Sequence, residues 1–160
     1  MTIEAAQRVE EMPFIRPATE ADLPACAAII NDYVDATDWL PRTRSHEEIA
    51  ALFSVDLLHS RLVLVAEIGG EIGGYLTLTP EGEVPALYLA PRFRGLGLGK
   101  MLIDRVKAEH PSHLELTVFE TNEAAKRFYE REGFREIPER RTDDTEEGVA
   151  TLFMRWRGTA

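Results

Sequence analysis

A chain of 160 residues is long enough for one domain with a full hydrophobic core and too short for two ordinary ones. Its apolar share of 44% is that of a globular protein, and no apolar run approaches the roughly 18 residues that a membrane span needs, which sets a transmembrane role aside. A formal net charge of -10 argues against nucleic acid as a partner, and the single cysteine, Cys26, excludes an internal disulfide and a cysteine-built metal site.

Residues 1–12 mix Glu4, Glu10 and Glu11 with scattered apolar residues and lack the continuous apolar stretch of a secretory signal. They read as a flexible N-terminal tail on a cytoplasmic protein, ahead of one domain over residues 13–158. A short strand around Phe14-Ile15-Arg16 leads to Thr19 and Asp22, which suit a helix N-terminus. In that first helix Leu23, Cys26, Ala27, Ile30 and Val34 recur every three or four residues and share one face, so Cys26 reads as a core residue. The stretch Asp35 to Arg44 is irregular. Ser45-His46-Glu47-Glu48 then offers a capping box for a short second helix that should carry Ile49, Leu52 and Phe53 inward.

Arg61 to Ile68 is β-branched and apolar, Gly69-Gly70 breaks it, and Ile72 to Leu78 resumes, which predicts a hairpin. Val84 to Ala90 is the next strand. Leu98, Met101, Leu102 and Val106 form a helical stripe ended by Pro111, and His113 to Phe119 supplies another strand. A helix from about Asn122 to Glu132 stops at Gly133, and strands Phe134 to Pro138 and Ala150 to Trp156 follow. This order predicts a single α/β (α+β) domain: a mixed, mostly antiparallel twisted sheet of about seven strands with helices on both faces.

The loop Arg94-Gly95-Leu96-Gly97-Leu98-Gly99-Lys100 separates a strand from a helix. Alternate glycines leave the backbone N–H groups from Gly95 to Lys100 unobstructed, the helix adds the positive end of its dipole, and Arg94 and Lys100 add full charges. A phosphate site follows. Lys100 stands where a dinucleotide fingerprint needs glycine, and Met101 where a Walker loop needs Ser or Thr, so neither NAD nor ATP is favoured.

At this point the chain resembles the GNAT superfamily of acyl-CoA-dependent N-acyltransferases. Its Arg/Gln-x-x-Gly-x-Gly/Ala signature is matched by Arg94, Gly97 and Gly99. The resemblance runs from Ile15-Arg16-Pro17-Ala18-Thr19-Glu20-Ala21-Asp22-Leu23 to the segment between Asn122 and Gly133-Phe134. It implies a sheet that splays beside the glycine loop, with the pantetheine arm of acetyl-CoA on the main chain of Leu87, Tyr88 and Leu89. The pyrophosphate would rest on Gly95, Leu96, Gly97, Leu98, Gly99 and Lys100, beside Arg94. The resemblance also implies that Asn122 approaches the thioester end and that Tyr129 protonates the departing thiolate. Homodimers are frequent in that family.

Acetyl transfer to an amine needs a neutral nucleophile, so a proton must be accepted. Glu83 stands eleven positions ahead of Arg94, the spacing of the catalytic glutamate in the histone-acetyltransferase-like branch; a solvated carboxylate with a water relay is the alternative. Direct attack in a ternary complex is expected, because the only thiol lies far along the chain from the cofactor segment. His46, His59, His110 and His113 show no metal-ligand spacing, and no metal is expected. The acceptor, a small-molecule or peptide amine, should meet the Asp35 to Arg44 segment, the second helix and the link between the last two strands. In that link Asp143, Asp144, Glu146 and Glu147 either recognise a cation or are simply solvated. Trp39 either stacks on the substrate or packs on the core. Two functions stand: an N-acetyltransferase, or a CoA-binding sensor or scaffold without turnover.

Overall fold

Gly69 and Gly70 take positive φ of 57° and 79°, the backbone of a two-residue hairpin turn that glycine adopts without strain. In the computed structural model, which describes residues 12–158, they join β2 (Leu62–Ile68) to β3 (Glu71–Leu78) in one antiparallel ladder. All but one residue of the tail expected over 1–12 lies outside the described residues. β1 (Phe14–Pro17) and β4 (Ala86–Leu89) flank the hairpin and give a four-stranded sheet in the order β1-β2-β3-β4. A second, three-stranded sheet orders β5 (His113–Phe119), β7 (Thr151–Arg157) and β6 (Arg135–Glu136) as β5-β7-β6.

The two sheets touch at one parallel bridge, Glu83 to Glu115. There the Val84 N–H donates to the Glu115 carbonyl at 2.8 Å and the Glu115 N–H to the Gly82 carbonyl at 2.9 Å. Beyond it β4 and β5 part, and each keeps a ladder only on its outer side. The seven strands among the described residues, with their antiparallel ladders, agree with the sequence reading, and the expected splay is this parting.

α4 (Leu98–Glu109) closes one side: Leu98, Leu102, Ile103 and Val106 are fully buried against Leu64, Leu76, Leu114 and Met154. Burying each such side chain contributes about 1.5–3 kcal/mol, so this stripe fixes the helix and the glycine loop that opens it. α5 (Glu123–Arg131) joins the same core through Tyr129. On the opposite face α1 (Leu23–Asp35) seats Cys26 and Ile29 on Val65 and Tyr75. Helices therefore cover both faces.

The sequence reading needs correction around the second helix. α2 (His46–Leu52) has the expected capping box, with the Glu48 N–H donating to Ser45 Oγ and the Ser45 N–H to Glu48 Oε1, both at 3.1 Å. A further helix, α3 (Val55–Ser60), follows where none was read. α2 ends at Leu52 with Phe53 as its C-cap, and Leu52 is 52% exposed rather than turned inward. Ile30 and Val34 of α1 are only half-buried because their side of the helix faces a cavity.

Candidate active site

Gly95 and Gly97 adopt φ of 79° and 82°, in the left-handed region, and Gly97 is the N-cap of α4. This conformation leaves a run of donors: from Gly95 to Lys100, no backbone N–H has a hydrogen-bond acceptor among the described residues, and the first inward bond is Met101 N–H to Gly97 O at 3.1 Å. Six unpaired amides leading into and opening a twelve-residue helix offer convergent donors that suit an anion. Gly99 serves packing instead, since a Cβ there would lie 3.2 Å from Phe128 Cζ of α5. Arg94 and Lys100 are exposed beside the loop; the Lys100 ammonium now pairs with Glu132 Oε1 at 3.0 Å.

The loop opens into a groove of about 610 Å³ in the gap between the sheets. Its walls include Leu87, Tyr88, Leu89, Arg94, Gly95, Gly97, Leu98, Gly99, Lys100, Asn122 and Tyr129, so the structure brings nearly all of the expected cofactor residues together. Leu96 is not in the wall; its side chain is 53% exposed. Along β4 the Ala90 N–H bonds to Gly73 O, and antiparallel alternation directs the amides and carbonyls of Leu87 and Leu89 away from β3, into the gap. An extended amide-bearing arm can pair with that free edge.

Asn122 caps α5, its Oδ1 accepting from the Ala125 N–H at 3.1 Å, while its Nδ2 donates to Tyr33 Oη at 3.2 Å. Tyr33 was missed by the sequence reading. It stands three residues after Ile30 on the edge of the apolar stripe, and its ring packs 5.1 Å from that of Tyr88. The Tyr129 ring is buried between Phe128 and Phe134, and burial raises its hydroxyl pKa, with smaller effects of Tyr88 and Tyr33 in the same direction. Glu83 is outside this gathering: its carboxylate is exposed and lines neither the groove nor the cavity described next.

A second cavity, about 320 Å³, lies under α1 and α2 on the other face of the first sheet. It is walled by Leu40 to Arg44, by Ile49 and Leu52, and by Glu146 and Glu147, the three segments named for the acceptor. Asp143, Asp144 and Trp39 are not in its wall; Trp39 packs edge-on against Phe119 at 5.6 Å. Tyr88 belongs to both spaces, and its hydroxyl is pushed up to about 12 by burial, with Tyr33 and Glu147 adding to the rise. Cys26 lines neither, and burial pushes its thiol up to about 12, the opposite of an activated nucleophile. Among the described residues no group of three His, Cys, Asp or Glu is arranged to hold a metal, and no helix is long and apolar enough to cross a membrane.

Residues 27–134 match the model of the acetyltransferase (GNAT) family. The peptidyl-lysine N-acetyltransferase YiaC of Escherichia coli is 28% identical over 145 residues, covering 89% of this chain and 95% of that protein. The 5-NmdU N-acetyltransferase of Pseudomonas phage PaMx11 is 35% identical over 112 residues, 66% of this chain and 77% of its own. The yncA protein of Salmonella typhimurium, solved with its cofactor acetyl-CoA, shares the fold at a TM-score of 0.72 and 23% identity, over 93% of this chain and 95% of that one. Together with the glycine loop, the free edge of β4 and the groove between the sheets, the match establishes that this chain belongs to the acetyltransferase (GNAT) family.

Proposed function

We propose that this N-acetyltransferase passes the acetyl group of acetyl-CoA directly to a primary amine of a small molecule or peptide, within a ternary complex. The observation that carries this reading is the meeting of two cavities at Tyr88: one holds unpaired amides and a free strand edge, the other is built from the segments expected to hold the acceptor. The names of the relatives span peptidyl-lysine and 5-NmdU, so the family alone does not choose the acceptor.

In this reading the pyrophosphate accepts from the amides of Gly95, Leu96, Gly97, Leu98, Gly99 and Lys100, with Arg94 and the Lys100 ammonium balancing its charge. The pantetheine arm pairs with Leu87 and Leu89 on either side of Tyr88. Asn122 holds Tyr33 at the inner end of the groove. The neutral amine attacks the thioester carbonyl carbon; a C–N bond forms, the C–S bond breaks, and the leaving sulfur takes the Tyr129 proton, which solvent restores. The amine nitrogen sheds its own proton through water toward Glu83, a relay being required because Glu83 lines neither cavity. A cytoplasmic setting suits the lone, fully buried free thiol of Cys26.

The test pairs calorimetric binding of acetyl-CoA with release of free CoA thiol across a panel of amines, for the wild type and Gly97→Val. The wild type is expected to bind and to release thiol only with an acceptor. The variant is expected to lose binding, since valine is strained at φ 82° and projects a side chain at the phosphates. Undiminished binding by Gly97→Val would overturn the pyrophosphate site, and tight binding without release from any amine would favour the sensor reading.

A further inference from the structure

The acceptor cavity is polarised along its length. Five charged side chains stand in its wall: Arg42, Arg44, Arg61, Glu146 and Glu147. Arg42 is held by Asp35 at 2.8 Å, and Arg44 and Glu146 face each other at 3.8 Å. Arg61 and Glu147 have no ion-pair partner among the described residues. Strand register sets Arg61 at the end of the cavity away from Tyr88. Tyr88 pairs with Tyr75 at the end shared with the cofactor groove, and the link that carries Glu147 runs to that end, where Ala150 O accepts from the Glu120 N–H at 2.8 Å, two residues before the Asn122 that bonds Tyr33 beside Tyr88. Arg61 immediately precedes Leu62, which pairs with Leu78, three residues further along β3 from Tyr75. At the rise of a strand this is about 10 Å, shortened by the reach of the two side chains.

Between the ends the wall is largely apolar, with Ile30, Val34, Leu57 and Ala86, yet it contains two buried hydroxyls that lack a hydrogen-bond partner among the described residues, Tyr75 Oη and Thr77 Oγ1. Thr77 is 3% exposed and lies between Tyr75 and the Arg61 end. A buried hydroxyl without a partner is costly, which makes a polar group on a ligand a natural complement. A cavity of about 320 Å³ also holds a single compact molecule.

We propose that the acceptor is a compact free amine carrying a carboxylate at its far end, an ω-amino carboxylate, with its amine at Tyr88 and Glu147 and its carboxylate at Thr77 and Arg61. The inference rests on the acetyltransferase reading above and narrows its acceptor. An apolar spacer of five or six bonds spans the cavity, and a lysine side chain entering from a protein would bring no charge complementary to Arg61.

Two matched pairs test this: 6-aminohexanoate against hexylamine, and 4-(aminomethyl)benzoate against benzylamine, with a lysine-containing peptide beside them. The carboxylate-bearing member of each pair is expected to show kcat/KM at least about tenfold higher, the usual scale of a charged hydrogen bond. Arg61→Gln should shrink that ratio to within about threefold and Arg61→Lys should keep most of it. Equal kcat/KM within the pairs, a ratio that survives Arg61→Gln, or a preference for the peptide would overturn the assignment. Acetyl-CoA binding is measured in the same samples. Intact binding with no turnover of any amine would overturn the acceptor while leaving the cofactor groove standing, and absent binding would bring down the groove and the acceptor with it.

Discussion

The Tyr129 ring lies 5.2 Å from that of Phe128 and 5.6 Å from that of Phe134, and only 8% of the residue is exposed. Such a hydroxyl is a weaker acid than free tyrosine, because burial penalises the phenolate. It therefore keeps its proton at every pH at which the enzyme would work, and the rate enhancement proposed for it belongs at the low end of general acid catalysis, about 10²-fold. Tyr129→Phe is expected to lower kcat by roughly that factor while leaving the Kd for acetyl-CoA unchanged. In the wild type, the raised pKa means that no alkaline fall in kcat should come from this group below pH 10. Steady-state kinetics of both proteins up to that pH check the two statements, and equal kcat in the variant would remove Tyr129 from the mechanism. The role proposed for Tyr129 came from the family resemblance, whereas the glycine signature is a local spacing and was legible as one. Tyr33 was not, since its contact with Asn122 joins residues 89 positions apart and exists only where α1 crosses the end of β4.

Elements are fixed in place by a few polar knots as well as by the core. Arg16 of β1 donates to Asp22 Oδ2 at 2.7 Å and to Glu67 Oε1 of β2 at 2.9 Å, while Asp22 also accepts from the Thr19 N–H at 2.8 Å. One guanidinium thus ties two strands to the start of α1. The Arg16 hydrogen bonds lower the Asp22 pKa from the usual 3.8 to about 2. A depressed carboxylate pKa stabilises the fold fully above the unfolded value, and that contribution is lost as pH falls through the folded one, here between about pH 4 and pH 2. The shift corresponds to about 2 kcal/mol. Asp22→Asn should cost up to that amount at pH 7 and flatten the acid limb of stability below pH 4, as urea unfolding at pH 7 and pH 3 would register. The capping box at Ser45 was readable for the same reason that it works: both partners sit within four residues. α3 was not, because six residues make too short a helix to show a period.

At the scale of the whole molecule, the site is the space left where one sheet becomes two. Every strand announces itself locally, but the parting of β4 from β5 beyond Glu83 and Glu115 depends on non-local pairing, so only the family resemblance foretold it. The same architecture leaves a cost in the free protein. Tyr75 and Thr77 sit on the central strand β3, with their hydroxyls buried and without hydrogen-bond partners among the described residues. Removing a buried polar group of that kind, with little change of shape, relieves a desolvation penalty of about 1–3 kcal/mol. Thr77→Val keeps the β-branched side chain that a strand favours, and Tyr75→Phe keeps the ring that packs edge-on at 5.6 Å from Phe53. Each is expected to raise the stability of the free protein by about 1 kcal/mol, read as a shift in the urea midpoint at unchanged m. Thr77→Val should at the same time raise KM for a carboxylate-bearing acceptor, since the hydroxyl that the ligand would satisfy is gone. A loss of stability in both variants would mean that these hydroxyls are satisfied in the free protein, and the polar complement assigned to the far end of the acceptor would then rest on Arg61 alone.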